Sequence, residues 1–231
     1  MTPSTSSSTP SVAWVLLDVN QTLSDTGPLA HAFESVGAPG HLAEHWFTTV
    51  LRDGFGLSST GTPSPFGDVA RGCLQVELSQ VLVDADVEEA VDEVMTALGG
   101  LDPHPDVAPG VRALTARGLR VATLGNGAAS TARSLLEKAG LDGDVAPLLS
   151  VDDAGAWKPA PQAYAYALSV LDAAAGDVLM VAVHPWDLEG ARRVGLRTAW
   201  VNRDGRTWPP HMAPPDLVVT RLDELHDRLS S

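Results

Sequence analysis

Two uninterrupted apolar runs constrain this chain more than any other feature: Val12 to Leu17 ahead of Asp18, and Val178 to Val183 ahead of His184. Runs with no polar alternation suit strands buried on both faces, which occur in parallel sheets covered by helices on each side. The second half of the chain keeps that rhythm. A helix near Val111–Arg117 precedes a strand at Arg120–Leu124 and a helix at Ala128–Ala139. A short apolar piece, Pro147–Val151, leads through the loop DDAGAWKPAP to a helix at Gln162–Leu171. The strand Val178–Val183 is followed by a helix at Leu188–Val194, strands at Thr198–Val201 and Leu217–Val219, and a terminal helix around Asp223–Leu229. Such alternation predicts right-handed βαβ units, hence an α/β fold with a doubly wound parallel sheet.

The stretch between the first strand and Pro109 differs. His41–Arg52, Phe66–Val83 and Val87–Leu98 carry apolar residues at helical spacing, separated by the Gly- and Pro-containing breaks GFGLSSTGTPSP and GGLDPHPDVAPG. The expected organisation is a core of residues 12–28 and 102–231, an all-helical insert over 29–101, and a disordered tail over 1–11. That tail is Ser/Thr/Pro-rich and lacks the basic start and apolar centre of a signal peptide. No apolar run approaches the roughly 18 residues that span a bilayer. The single cysteine, Cys73, excludes an intramolecular disulfide and suits a reducing compartment, so a cytoplasmic location and no membrane partner are expected. The formal charge of −14 argues against nucleic acid, because phosphate binding needs clustered basic residues. Lys138 and Lys158 are the only lysines among 15 basic residues.

Ligands of open parallel sheets bind beyond the carboxyl ends of the strands. Asp18 ends the first strand, Asn126 follows the second between two glycines, Lys158 precedes a helix, and His184 and Asp187 follow the strand ending at Val183. Each has a plain structural explanation: an Asx turn at Asp18, a helix cap at Asp187, a turn at Asn126, a satisfied loop residue at His184, a solvated Lys158. Their arrival at one rim from four segments points instead to a site for a small molecule.

The segment LLDVNQTL resembles the first motif of the haloacid dehalogenase superfamily, ATLGNG its second, WKPAPQAY its third, and VAVHPWDLEGARRVGLRTAWVNR its fourth. The details are most similar to the type II, or L-2-haloacid, branch: Asn126-Gly127, Tyr164 six positions after Lys158, and Trp186-Asp187 followed by Gly190-Ala191. The resemblance spans nearly the whole chain. It implies a Rossmann-like core, with the helices of 29–101 as a cap. It also implies a 2-haloacid substrate and an aspartyl ester intermediate, with no cofactor, and it raises a homodimer formed through the cap. In that scheme Asp18 attacks carbon, Thr22 orients it, and Lys158 balances its charge. Asn126 helps bind the leaving group, Asp187 orients Lys158 or the water, and Asn20, Gln21, Phe47, Tyr164 and Trp186 complete the substrate site.

Several positions depart from the branch. Asn20 stands where the superfamily's phosphatases carry a second Asp, so a phosphatase reading, with its Mg²⁺, lacks an acid that exchanges protons. Gly125 replaces a Ser, and Phe47 replaces a substrate-binding Arg that Arg52 or Arg71 would have to supply. Ala182-Val183-His184 replaces a Ser-Ser-Asn stretch, which makes His184 the expected base toward the hydrolytic water, since imidazole is neutral and basic near pH 7. Gln21 stands where a variant of the branch carries Glu, and it hydrogen-bonds an imidazole without stabilising its charge. A phosphatase, or a catalytically weakened binding protein on the same fold, are the alternatives.

Overall fold

The computed structural model describes residues 12–83 and 86–229; residues 1–11, expected as a disordered tail, lie outside the described residues. Six parallel strands form one sheet: β1 (Trp14–Leu17), β2 (Arg120–Gly125), β3 (Leu148–Ser150), β4 (Val178–Ala182), β5 (Arg197–Val201) and β6 (Leu217–Val219). Their order, β3-β2-β1-β4-β5-β6, is that of a Rossmann-like doubly wound sheet, as the alternation of elements predicts. The chain winds outward from β1 in both directions, so the strand order reverses between β1 and β4. Loops diverge there and leave a crevice at the carboxyl ends. In register, Leu17 pairs with Thr123 on β2 and with Val181 on β4, and the Asp18 amide donates to the Val181 carbonyl at 3.0 Å. The carboxylate therefore sits at the switch point.

Successive residues of a strand face opposite sides, and the two cores follow that period. Trp14, Leu16, Met180 and Trp200 pack on one face with α8 (Pro161–Leu171) and α9 (Pro185–Val194). Val15, Leu17, Val181 and Val201 pack on the other with α5 (Val107–Ala116), α6 (Ala129–Lys138) and α10 (Leu225–Arg228). Between β1 and α5 lie four consecutive helices: α1 (Leu29–Ser35), α2 (Leu42–Ser59), α3 (Phe66–Val81) and α4 (Val87–Gly99). The two crossings between these helices and the core run side by side. Ser24 bridges Pro103, the Asp25 amide donates to Asp102 O at 2.8 Å, and Lys138 Nζ reaches the carbonyls of Gly100 and Leu101.

The boundaries differ from expectation where tertiary contacts outweigh local preference. The break expected from Gly54 is absent, since α2 continues through Gly54 and Gly56 to Ser59. A helical glycine costs about 1 kcal/mol relative to Ala, but here it admits the Trp157 indole: a Cβ on Gly54 would lie 2.1 Å from that ring. The indole also stacks on Phe66 at 5.6 Å and donates to Ser64 O. Phe33, Trp46, Phe47 and Phe66 continue this aromatic packing through the helices, so the residue next to Lys158 is wedged between core and insert. Helix α5 starts at Val107, with Pro109 in the first turn, where no intrahelical amide is lost. A short helix, α7 (Val151–Ala154), occupies part of the expected loop before Lys158. Cys73 is buried, and desolvation together with the Asp53 charge pushes its thiol up to about 11, a packed thiol and not a nucleophile.

Because the wedge at Gly54 has no room to give, Gly54→Ala is expected to cost about 1–3 kcal/mol, read as a lowered midpoint in thermal unfolding. An unchanged midpoint would show that Trp157 is not a close-packed joint.

Candidate active site

The site is built from four loops that leave the carboxyl ends of adjacent strands. Asp18 follows β1, and both of its oxygens are held: Oδ1 accepts from Lys158 Nζ at 2.8 Å and Oδ2 from Thr22 Oγ1 at 2.6 Å. The Thr22 hydroxyl in turn accepts the Val183 amide at 3.1 Å, which locks the turn after β1 to the end of β4. That turn is tight: Gln21 takes a left-handed conformation at φ 64°, and the amides of Leu23 and Ser24 return to the Val19 carbonyl.

Lys158 is fully buried and reaches a second carboxylate, Asp187 Oδ2, at 2.6 Å. Asp187 lies inside the first turn of α9, which begins at Pro185 and not at Leu188, so it does not cap the helix as one expectation held. Its other oxygen accepts Tyr164 OH at 2.7 Å. Gly190 permits this, since a Cβ there would lie 2.7 Å from Tyr164 OH and from Pro159. Asn126, implied as a leaving-group binder, holds the lysine's main chain: its Oδ1 accepts Lys158 N–H at 2.9 Å and its Nδ2 donates to Lys158 O at 3.3 Å.

Electrostatics follow from the geometry. Burial pushes the Asp18 carboxyl up, but the Lys158 ammonium, aided by His184 and Thr22, brings it below its ordinary value. Burial pushes Asp187 up, and Lys158 does not offset it fully because Asp18 stands nearby. The two carboxylates outweigh the burial of Lys158 and raise its pKa. Burial and the Asp187 charge hold the Tyr164 phenol well above its usual range, so it stays a donor. One ammonium between two carboxylates leaves a buried cluster with a net charge of about −1.

His184 Nε2 is 3.9 Å from Asp18 Oδ2 and 3.2 Å from the Asn20 carbonyl. A carbonyl only accepts, so this nitrogen carries the proton and the ring's free lone pair is at Nδ1. The imidazole stacks on Trp186 at 4.9 Å and 22°, and Trp186 meets Phe55 of α2 edge-on at 4.9 Å. Burial lowers the His184 pKa despite Asp18 and Asp187.

The remaining expected residues spread around this centre. Asn20 lines a cleft of about 200 Å³ between insert and core, with Val19, Phe66, Met95 and Gly127. The Gln21 amide turns to Thr26 and not to His184. Phe47 is packed against Trp46 and Phe66 and borders a separate cleft containing Gln21. Arg52 pairs with Asp53 on an outer groove, and Arg71 pairs with Asp92, so neither takes up the role left by Phe47 beside Asp18. At Gly125 a Cβ would lie 3.2 Å from Val19, so Val19 fills the room that a serine there would use. Arg203 closes the fourth motif, VAVHPWDLEGARRVGLRTAWVNR, and is a site residue that the motif alone does not single out. Its Nη2 donates to Thr22 O at 2.9 Å and its Nη1 to the buried Asp106 at 2.6 Å, tying β5 to the loop after β1. The signal available was a cation two residues beyond a strand end. Among the described residues no group of three or more His, Cys, Asp or Glu is arranged to hold a metal ion, and no helix is long and apolar enough to cross a membrane.

Comparison with known proteins agrees with this arrangement. Residues 15–195 match the family model of haloacid dehalogenase-like hydrolases. Haloacetate dehalogenase H-2 of Moraxella is 32% identical over 160 residues, covering 69% of this chain and 71% of that protein. (S)-2-haloacid dehalogenase 1 of Pseudomonas is 27% identical over 212 residues, covering 91% and 90%. The solved structure of L-2-haloacid dehalogenase from Xanthobacter autotrophicus with chloropropionic acid covalently bound is similar at a TM-score of 0.84 and 25% identity, covering 95% of this chain and 99% of that one. A carboxylate at the tip of β1, a buried lysine from a distant loop and a matching chain over most of its length lead to one assignment: the protein belongs to the haloacid dehalogenase-like hydrolases.

Proposed function

We propose that the protein hydrolyses the carbon–halogen bond of a short 2-haloacid, and that Asp18 is alkylated on the way. The observation that carries this reading is the 2.8 Å contact between Asp18 and the fully buried Lys158, which keeps a desolvated carboxylate ionised. An ionised oxygen in a dry site is a competent nucleophile toward sp³ carbon. One Asp18 oxygen forms a bond to C2, and the halide leaves with the electron pair of the carbon–halogen bond. Water then adds to the Asp18 carbonyl carbon, the 2-hydroxy acid departs with the alkylated oxygen, and one proton is released. Oδ1, facing Lys158, is suited to be the carbonyl oxygen on which negative charge develops. Relatives named as haloacetate and (S)-2-haloacid dehalogenases support the substrate class. The scheme uses only this chain's side chains and water. Asn20 offers no exchangeable acid for a phosphoryl transfer, so the phosphatase alternative gains nothing from the geometry.

In this reading the helices of 29–101 act as a lid. Phe55 on Trp186 and Trp157 under Phe66 close the insert over the Lys158 loop and exclude water during displacement. His184 takes the proton from the hydrolytic water. For that step the ring proton shifts from Nε2, where the Asn20 carbonyl holds it, to Nδ1, water replaces that carbonyl at Nε2, and the cleft beside His184 gives the abstracted proton a path to solvent.

Lys158→Met is expected to cut first-turnover chloride release from chloroacetate by at least about 10²-fold. It leaves two buried carboxylates without a cation, so a stability loss of about 3–5 kcal/mol should accompany it in denaturant titration. His184→Phe keeps the stack on Trp186 but removes both nitrogens. It should slow turnover by about 10²–10⁴-fold and let the ester accumulate, seen as a mass increase on the peptide carrying Asp18; unchanged steady-state halide release excludes the role. His184 must be neutral to act, and its pKa is depressed below the ordinary 6.5. Hydrolysis should therefore be at its plateau at pH 7 and fall only on acidification below the usual histidine range. A pH–rate profile with its acid limb above that range contradicts the assignment.

A further inference from the structure

The charges around Asp18 leave a problem for a substrate that is itself an anion. The buried cluster of Asp18, Lys158 and Asp187 is net negative, and the whole chain carries a formal charge of −14. Lys158 is saturated by two carboxylates and Lys138 by the carbonyls of Gly100 and Leu101 and by Asp102. Phe47 offers no charge, and Arg52 and Arg71 are paired outside the site.

Two clefts border the nucleophile loop, one of about 510 Å³ reaching His184 and one of about 410 Å³ running between core and insert. They share four residues: Gln21, Thr26 and Gly27 of that loop, and Arg206. The main chain of Arg206 is stapled in place, because Asn202 Oδ1 accepts its N–H at 2.8 Å and Asn202 Nδ2 donates to its carbonyl at 3.0 Å. Its guanidinium pairs with Asp204 at 3.1 Å, and both side chains are about two-thirds exposed, at 69% and 65%. An exposed pair of this kind is weak and exchanges partners readily. In the same cleft the buried Nε of Arg203 has no partner among the described residues, while its two Nη atoms are committed to Asp106 and Thr22. That Nε is closed off from solvent, so the exposed guanidinium of Arg206, loosely paired on a fixed backbone, is the group placed to receive a small carboxylate.

We infer that Arg206 forms a carboxylate-recruiting subsite at the mouth of the cleft leading to His184. Arg206 exchanges Asp204 for the incoming haloacid and screens it from the negative cluster behind. The inference rests on the dehalogenase reading for its substrate, but the subsite itself is a statement about anion binding. Arg206 acts on the ground state and the transition state alike, because the substrate's carboxylate keeps its charge throughout. Such uniform binding shows in KM and not in kcat.

The test uses the full chain, with chloroacetate turnover and calorimetric titration of glycolate, its hydrolysis product. Arg206→Ala should raise the KM for chloroacetate and the Kd for glycolate by about three- to tenfold with kcat unchanged, and the gap should shrink as salt rises from about 20 mM to about 0.5 M. Arg206→Lys should retain most of the affinity, and Asp204→Asn should lower KM by freeing the guanidinium. If Arg206→Ala leaves both KM and glycolate affinity unaltered at low salt, or lowers kcat alone, the subsite is overturned. If the wild type releases halide from no haloacid, the dehalogenase reading fails, and the glycolate arm still decides the subsite.

Discussion

One buried ammonium organises this molecule. Lys158 Nζ lies 2.8 Å from Asp18 and 2.6 Å from Asp187, and all three side chains are almost wholly removed from water. Taking a carboxylate out of water is costly unless a counter-charge and hydrogen bonds replace the solvent. Much of the surrounding architecture does that replacing. Asn126 grips the lysine's backbone, Trp157, next to the lysine, is wedged against α2, Tyr164 caps the second carboxylate, and Gly190 lets α9 approach closely enough for the contact. The site is a polar network with nearly every member satisfied, in which each position depends on the others.

That network also explains how the Asp18 carboxylate stays charged in a dry place. Desolvation alone would neutralise Asp18, and the ammonium reverses the sign of the shift. The second carboxylate moves the other way: burial pushes it up, and the Asp18 charge beside it keeps Lys158 from reversing that shift. Two carboxylates with oppositely shifted pKa values share one lysine, which is the pattern expected where one group is to attack, as proposed for Asp18, and the other to hold the lysine in place. Arg203 extends the arrangement outward: by joining Thr22 to Asp106 it fixes the loop that orients the carboxylate, from a strand two positions away in the sheet.

The same geometry gives the substitutions at this site a common logic. Val19 occupies space beside Gly125, Phe47 belongs to an aromatic ladder, and His184 lies on Trp186 within reach of Asp18. Phe47 carries no charge and Arg52 and Arg71 are paired elsewhere, whereas the proposed subsite at Arg206 lies on the core side, where two clefts meet the loop after β1.

Local sequence determined the parallel sheet, the order of elements and the rim on which Asp18, Asn126, Lys158 and Asp187 gather. Continuous apolar runs admit few other folds, and polar residues at their ends have nowhere to go but the carboxyl edge. Resemblance to family motifs supplied the candidate chemistry. Only the tertiary structure decided how those residues are used. It sent both ends of the Asn126 amide to the lysine backbone, put Asp187 inside α9, gave the His184 proton to Nε2 through the Asn20 carbonyl, and turned Gln21 toward Thr26. It also carried α2 through Gly54, which read as a break. The partners involved lie 5 positions apart for Gln21 and Thr26, 32 for Asn126 and Lys158 and 164 for His184 and Asn20. Periodicity and spacing report which face of an element is apolar, and they hold no record of which distant groups will satisfy a buried polar atom.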